Sequence, residues 1–213
     1  MSNSDTFIDE VTEEVRRDRL FALMRRYGWI AVAAVVLLVA AAAWNEWQKA
    51  QSAAQAEAFG DTLIAALDKP DATARAAALD GVGDTPEKRA IVAMFAADQA
   101  EGAAAAQALE ALSQNADLPQ VYRDLALLKF LMRDDAGLTA DVRLSRLEPL
   151  TIPGAPYRLL ALEQSALAQV ALGETDTALT VLNGILSEDR VSEGLRRRVS
   201  QLIVALGGSL DAA

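Results

Sequence analysis

The sequence predicts an all-α protein in which one membrane-spanning helix precedes a solenoid of antiparallel helix hairpins. Three observations predict it. An uncharged apolar stretch runs from Gly28 to Trp44. After Lys49 the chain reads as helical segments broken at short intervals by turn residues. Alanine abounds, aromatic residues make up only 5%, and β-branched runs outside the apolar stretch are scarce, a composition that favours helix over strand.

The first segment, residues 1–26, is expected to be a cytoplasmic amphipathic helix. "SDTFIDEVTEEVRRDRLFALMRR" opens on capping residue types, places Asp9, Glu10, Glu13 and Glu14 early and its arginines late, an order that suits the helix dipole. Phe7, Val11 and Val15 recur every fourth position, with Ile8 alongside, and form a narrow apolar stripe on a charged helix. The stripe either skims a membrane surface or docks on a cytoplasmic partner.

Residues 27–47 follow as the transmembrane helix. Twenty-one residues rise roughly 31 Å, the thickness of a hydrocarbon core. Ile30, the valines and the two leucines favour insertion by only about 2–4 kcal/mol, so one central charge would nearly cancel it, and none is present. Tyr27 and Trp29 at one end and Trp44 and Trp47 at the other place amphipathic rings where two headgroup layers would lie. That symmetry suits neither a buried core helix nor a cleaved signal peptide, although "AAAAW" offers small residues for cleavage. Arg25 and Arg26 abut the span and Arg16, Arg17 and Arg19 lie just before them, whereas the far side carries Lys49 and then nothing basic until Lys69. The amino terminus is therefore expected in the cytoplasm, and residues 48–213 outside, in the periplasm of a Gram-negative cell.

In that third region, punctuation falls at 68–71, 81–86, 101–102, 115–119, 133–137, 151–156, 172–174 and 187–190, and turns this short make neighbouring helices antiparallel. The count is four hairpins and a closing helix. In "YRLLALEQSALAQVALGETDTALTVLNGIL" the turn at Gly173 is followed by Ala178, Leu182 and Ile185 on one stripe. "AIVAMFAADQAEGAAAAQALEALSQNADLP" repeats the plan, with Gly102 and then Ala105, Leu109 and Leu112. Ala105 and Ala178 stand about two 34-residue periods apart, and stacked copies can hide apolar faces that one pair cannot.

Gly173 followed by Ala178 resembles the tetratricopeptide repeat; Gly102 with Ala105 misses its spacing, and the stretch from Tyr122 to Leu150 keeps only helix lengths and the Gly137 turn. Taken whole, with "FIDEVTEEVRRDRL", "RRYG" leading into one span, "YRDLA" at 122–126 and "PGAPYRLLALEQSALA" at 153–168, the layout resembles the tetratricopeptide-like YfgM family. The resemblance implies an ancillary subunit of the Sec translocon, anchored in the bacterial inner membrane and facing the periplasm. It also implies a membrane-anchored periplasmic chaperone as partner, and a role in protein export. Register with the repeat pattern turns Glu163 and Leu167 toward an inner, protein-binding wall, with Asp124 and Leu127 one pair earlier. Ordinary helix packing is the plainer reading of all four.

Composition excludes much else. The 213 residues contain no Cys and no His, which removes thiol and imidazole chemistry, and the charge of −10 repels phosphate backbones. No catalytic residue, metal, cofactor, small-molecule substrate or nucleic acid is expected. "GVGDTP" lacks the third glycine of a dinucleotide loop, with Pro86 in its place, and reads as a turn. The acid pairs Asp134 with Asp135, Glu174 with Asp176, and Glu188 with Asp189 fall at turns, where acids cap helices. Arg196, Arg197 and Arg198 read as a solvated face of the last helix. The alternative to a scaffold in export is a structural accessory subunit of another inner-membrane complex.

Overall fold

The computed structural model describes residues 3–100 and 102–209, with side chains from Arg25 onward except Ala31. The described residues are helical and contain no strand. Nine α-helices follow one another: α1 (Asn3–Leu67), α2 (Ala72–Leu79), α3 (Pro86–Gln99), α4 (Ala103–Gln114), α5 (Gln120–Leu131), α6 (Ala140–Leu147), α7 (Arg158–Ala171), α8 (Thr175–Leu186) and α9 (Glu193–Ala205). Each turn anticipated from glycine, proline and acidic residues lies between two of them. The chain divides into two units, Met1–Asp61 and Thr62–Ala213.

In the first unit α1 continues without a break through Gly28 and beyond Trp47, so the helix outlasts the apolar stretch. Its side chains are exposed from Ala34 through Ala58, including Leu37 at 70% and Leu38 at 71%. The Phe7, Val11 and Val15 stripe lies outside the residues whose side chains are described. The compact helical unit starts at Thr62, later along the chain than the expected junction at residue 48, because the helix carries on where the apolar residues stop.

In the second unit the helices pack mainly on their neighbours in sequence. Two apolar clusters hold it. One gathers Met94, Leu109, Leu128, Leu131, Leu147 and Leu150; the other gathers Leu182, Ile185, Leu195, Val199 and Ile203. α7 belongs to both, giving Ala161 to the first and Ala166 to the second. Ala126, Ala161 and Ala178 are wholly buried, and side chains this small let helix backbones approach closely. The anticipated stripes are observed: Ala105 and Leu109 are buried with Leu112 beside them, as are Ala178, Leu182 and Ile185.

Helix starts and stops follow local chemistry. "GVGDTP" is the turn it was expected to be, and it also caps α3: Thr85 accepts the Lys88 amide at 3.3 Å and Pro86 occupies the first helical position. A Cβ at Gly83, where φ is +102°, would meet the Arg89 nitrogen at 2.9 Å. At the end of α7, Gly173 adopts φ +81°, its N–H donates to Val170, and the Glu174 N–H donates to Gln169 at 2.9 Å, a Schellman cap.

Longer-range polar contacts tie helices two apart. Lys129 of α5 meets Asp98 of α3 at 2.6 Å, and Arg146 of α6 meets Glu110 of α4 at 2.8 Å while lying 4.8 Å over the Phe130 ring. Arg133, just after α5, donates to the Ala97 and Ala100 carbonyls at 2.8 and 2.9 Å, which closes the end of α3. The same guanidinium grips both oxygens of Asp135 at 2.7 and 2.6 Å, and Asp135 accepts the Gly102 amide that leads into α4. Arg133 and Gly102 hold the Asp135 carboxyl below the usual aspartate range.

Arg133→Ala should therefore destabilise the folded chain by on the order of 2 kcal/mol, read by urea denaturation of the detergent-solubilised protein. Arg133→Lys should recover little, because an ammonium cannot span two carbonyls and a carboxylate. The depressed Asp135 value stabilises the fold fully above the ordinary 3.8, and this contribution is lost as pH falls through the folded value. Melting temperatures of wild type and Asp135→Asn should converge across that acid range.

Candidate functional site

The residues singled out from sequence fall in two places. Arg25, Arg26, Tyr27, Trp29, Trp44 and Trp47 lie along α1 and are exposed, the three tryptophans by 67%, 64% and 56%. The Arg26 guanidinium stands 5.8 Å from the Tyr27 ring centre, and the rings of Trp44 and Trp47 pack at 5.2 Å with a tilt of 46°. The helix between them is long and apolar enough to cross a membrane.

Asp124, Leu127, Glu163 and Leu167 sit on α5 and α7 in different surroundings. Leu127 is half-buried against the first apolar cluster and serves packing. Leu167 is 39% exposed, as is Leu160 at 37%, one helical stripe away from the buried side of α7.

Glu163 is 5% exposed, and its two oxygens accept from Nε and an Nη of Arg198 at 2.8 Å each. Its carboxylate is thus occupied from within the chain. Arg198 keeps the exposed position expected for residues 196–198, its side chain 52% exposed, while its guanidinium reaches the buried Glu163 carboxylate, which needs a cation. Glu163 raises the Arg198 guanidinium's already high pKa further.

Asp124 differs. It is half-buried and makes no hydrogen bond or ion pair among the described residues. Burial pushes its carboxyl above the usual range, only partly opposed by Arg123. Tyr157, just before α7, is raised by burial, then by the charge of Asp124, then by Tyr122. Tyr122 and Tyr157 both pack on the first cluster.

Two of the paired acids are held within the chain. Asp135 is held by Arg133, Glu188 pairs with Arg158 at 2.7 Å, and Glu174 and Asp176 sit at the start of α8. No group of three metal-ligating side chains comes together among the described residues.

No family model, curated protein or solved structure matches the chain. Function must be argued from the chain's own residues. The helical unit shows Leu160 and Leu167 partly exposed on α7 and Asp124 half-buried on α5 without an ion pair among the described residues, and α1 carries the stretch long and apolar enough to cross a membrane. Of the four residues that register turned toward an inner wall, Leu127 and Glu163 are engaged within the chain. Leu160, seven residues before Leu167, shares its exposure, a spacing already present in the sequence.

Arg198→Ala strands the Glu163 carboxylate and should cost about 2–4 kcal/mol, whereas Glu163→Gln, which keeps an acceptor, should cost less; paired urea titrations decide the order. Asp124→Asn should raise the melting temperature at neutral pH. Because the folded Asp124 value is raised, that gain should shrink as pH falls toward the ordinary 3.8.

Proposed function

We propose that this chain is a single-span inner-membrane protein with its amino terminus in the cytoplasm and a periplasmic tetratricopeptide-like solenoid that binds other proteins during export. It would do so beside the Sec translocon and a membrane-anchored periplasmic chaperone. The observation that carries the anchor is the stretch from Tyr27 to Trp47, apolar, exposed and ringed at both ends. Arginine crowding on its amino-terminal side supports the orientation.

The solenoid reading is supported by consecutive helix packing and by ion pairs that join α3 to α5, α4 to α6 and α7 to α9, the second-neighbour links that stacking requires. Partner identity rests on the resemblance to the YfgM family. A non-catalytic role accords with a chain lacking Cys and His, in which Asp135 and Glu188 of the paired acids are taken up in ion pairs.

In this reading α1 holds the chain at the bilayer, and the exposed side of α7 with Asp124 receives segments of unfolded proteins. No bond is made or broken.

A phosphatase reporter active only outside the cytoplasm, fused after residue 213, should be active, and protease added to spheroplasts should remove the helical unit; a protected carboxyl-terminal region would overturn the orientation. Crosslinking in native membranes should yield translocon and chaperone adducts, and a single stoichiometric envelope complex instead would favour the accessory-subunit alternative.

A further inference from the structure

We infer that Asp80, in the turn between α2 and α3, is the site at which this chain undergoes spontaneous backbone isomerisation, and that the fold protects the Asn183-Gly184 pair that would react first in a flexible peptide. This chemistry is independent of the proposed binding role.

Asp80-Gly81 and Asn183-Gly184 are the chain's only aspartate and asparagine residues followed by glycine. Both pairs invite the same reaction. The glycine backbone nitrogen attacks the side-chain carbonyl carbon and gives up its proton, a five-membered succinimide closes, and water leaves from aspartate or ammonia from asparagine. Water then adds to either ring carbonyl. Addition at the side-chain carbon gives aspartate; addition at the main-chain carbon gives isoaspartate, whose backbone runs through Cβ and Cγ and is longer by one carbon. Glycine favours closure because no Cβ shields its nitrogen. In a flexible peptide the asparagine pair is the faster, since an aspartate is mostly ionised at neutral pH and a carboxylate resists attack.

The structure reverses that order. Gly184 lies inside α8, where the helical pattern commits its N–H to the Thr180 carbonyl. On either side of the pair, Leu182 and Ile185 are 1% and 0% exposed in the second apolar cluster. Swinging the Gly184 nitrogen onto the Asn183 side chain would unwind the helix and draw both from the core.

Asp80 and Gly81 are exposed, and α2 has already ended at Leu79. Asp80 has left the helical region, with φ −63° and ψ 130°, and the Gly81 N–H makes no hydrogen bond among the described residues. Two turn bonds frame the pair, from the Asp80 N–H to Ala77 at 3.4 Å and from the Val82 N–H to Leu79 at 3.1 Å, and neither holds the attacking nitrogen. A Cβ built on Gly81 would meet nothing within 4 Å, so the peptide linking the two residues can rotate toward the carboxyl in open space.

The test incubates the full chain in nanodiscs in heavy-oxygen water at neutral pH and body temperature, then follows tryptic fragments 76–88 and 159–190 by mass spectrometry, with fragmentation to place each change. Position 80 should gain heavy oxygen and isoaspartate at least about tenfold ahead of deamidation at 183, a margin within what one cooperative helix opening supplies. The same fragments, released before incubation, should show the opposite order. Asp80→Glu should abolish the signal at 80 with an unchanged melting curve, because glutamate would have to close a six-membered ring.

Deamidation at 183 that keeps pace with position 80 in the folded chain overturns the inference. So does a folded chain that stays free of isoaspartate at 80 while the released fragment forms it, or a released pair of fragments that keeps the folded order.

Discussion

Helix ends govern this fold. Every α-helix leaves its last carbonyls without partners and carries a partial negative charge there, and α1, α3 and α8 have no basic residue of their own in the last turn. The cation comes from farther along the chain in each case. Arg75 of α2 donates to the Lys69 carbonyl after α1, Arg133 to the end of α3, and Arg196 of α9 to the end of α8; Arg143 of α6 does the same for α5. The ends of these four helices are thus completed only when a later element has docked, whereas α7 closes on its own Gly173 turn.

This use of cations shapes the surface. Arginines engaged in caps, and others matched to Glu110, Glu188 and Glu163, are withdrawn from outside partners. Asp124, half-buried and without an ion pair among the described residues, feels Arg123 only through space. The polar chemistry that builds the stack and the chemistry available for binding are two parts of one charge distribution.

The turns were legible because their causes are local: glycine in left-handed backbone at 102, 137 and 173, Pro86 and Thr85 opening α3, and small residues spaced along one stripe. The pairing of Glu163 with Arg198 was not legible. Thirty-five residues separate them, and register alone turned Glu163 toward an open wall and Arg198 toward water. Packing of α7 to α9 overrode the first alone, since α9 seals the second apolar cluster with Leu195, Val199 and Ile203 while Arg198 stays exposed and turns its guanidinium to Glu163. The run of α1 past Trp47 was legible, because alanine, glutamine and glutamate suit a helix in water.

The position of α7 in both apolar clusters has a mechanical consequence. In a simple array each repeat touches only its neighbours, so the end units can fray while the rest persists. Here one helix is the shared wall of two rooms: Ala161 faces one and Ala166 the other. Force or heat that peels α9 and α8 away exposes the back of the same helix that closes the preceding block. Loss of the far end therefore uncovers the helix that also closes the first cluster.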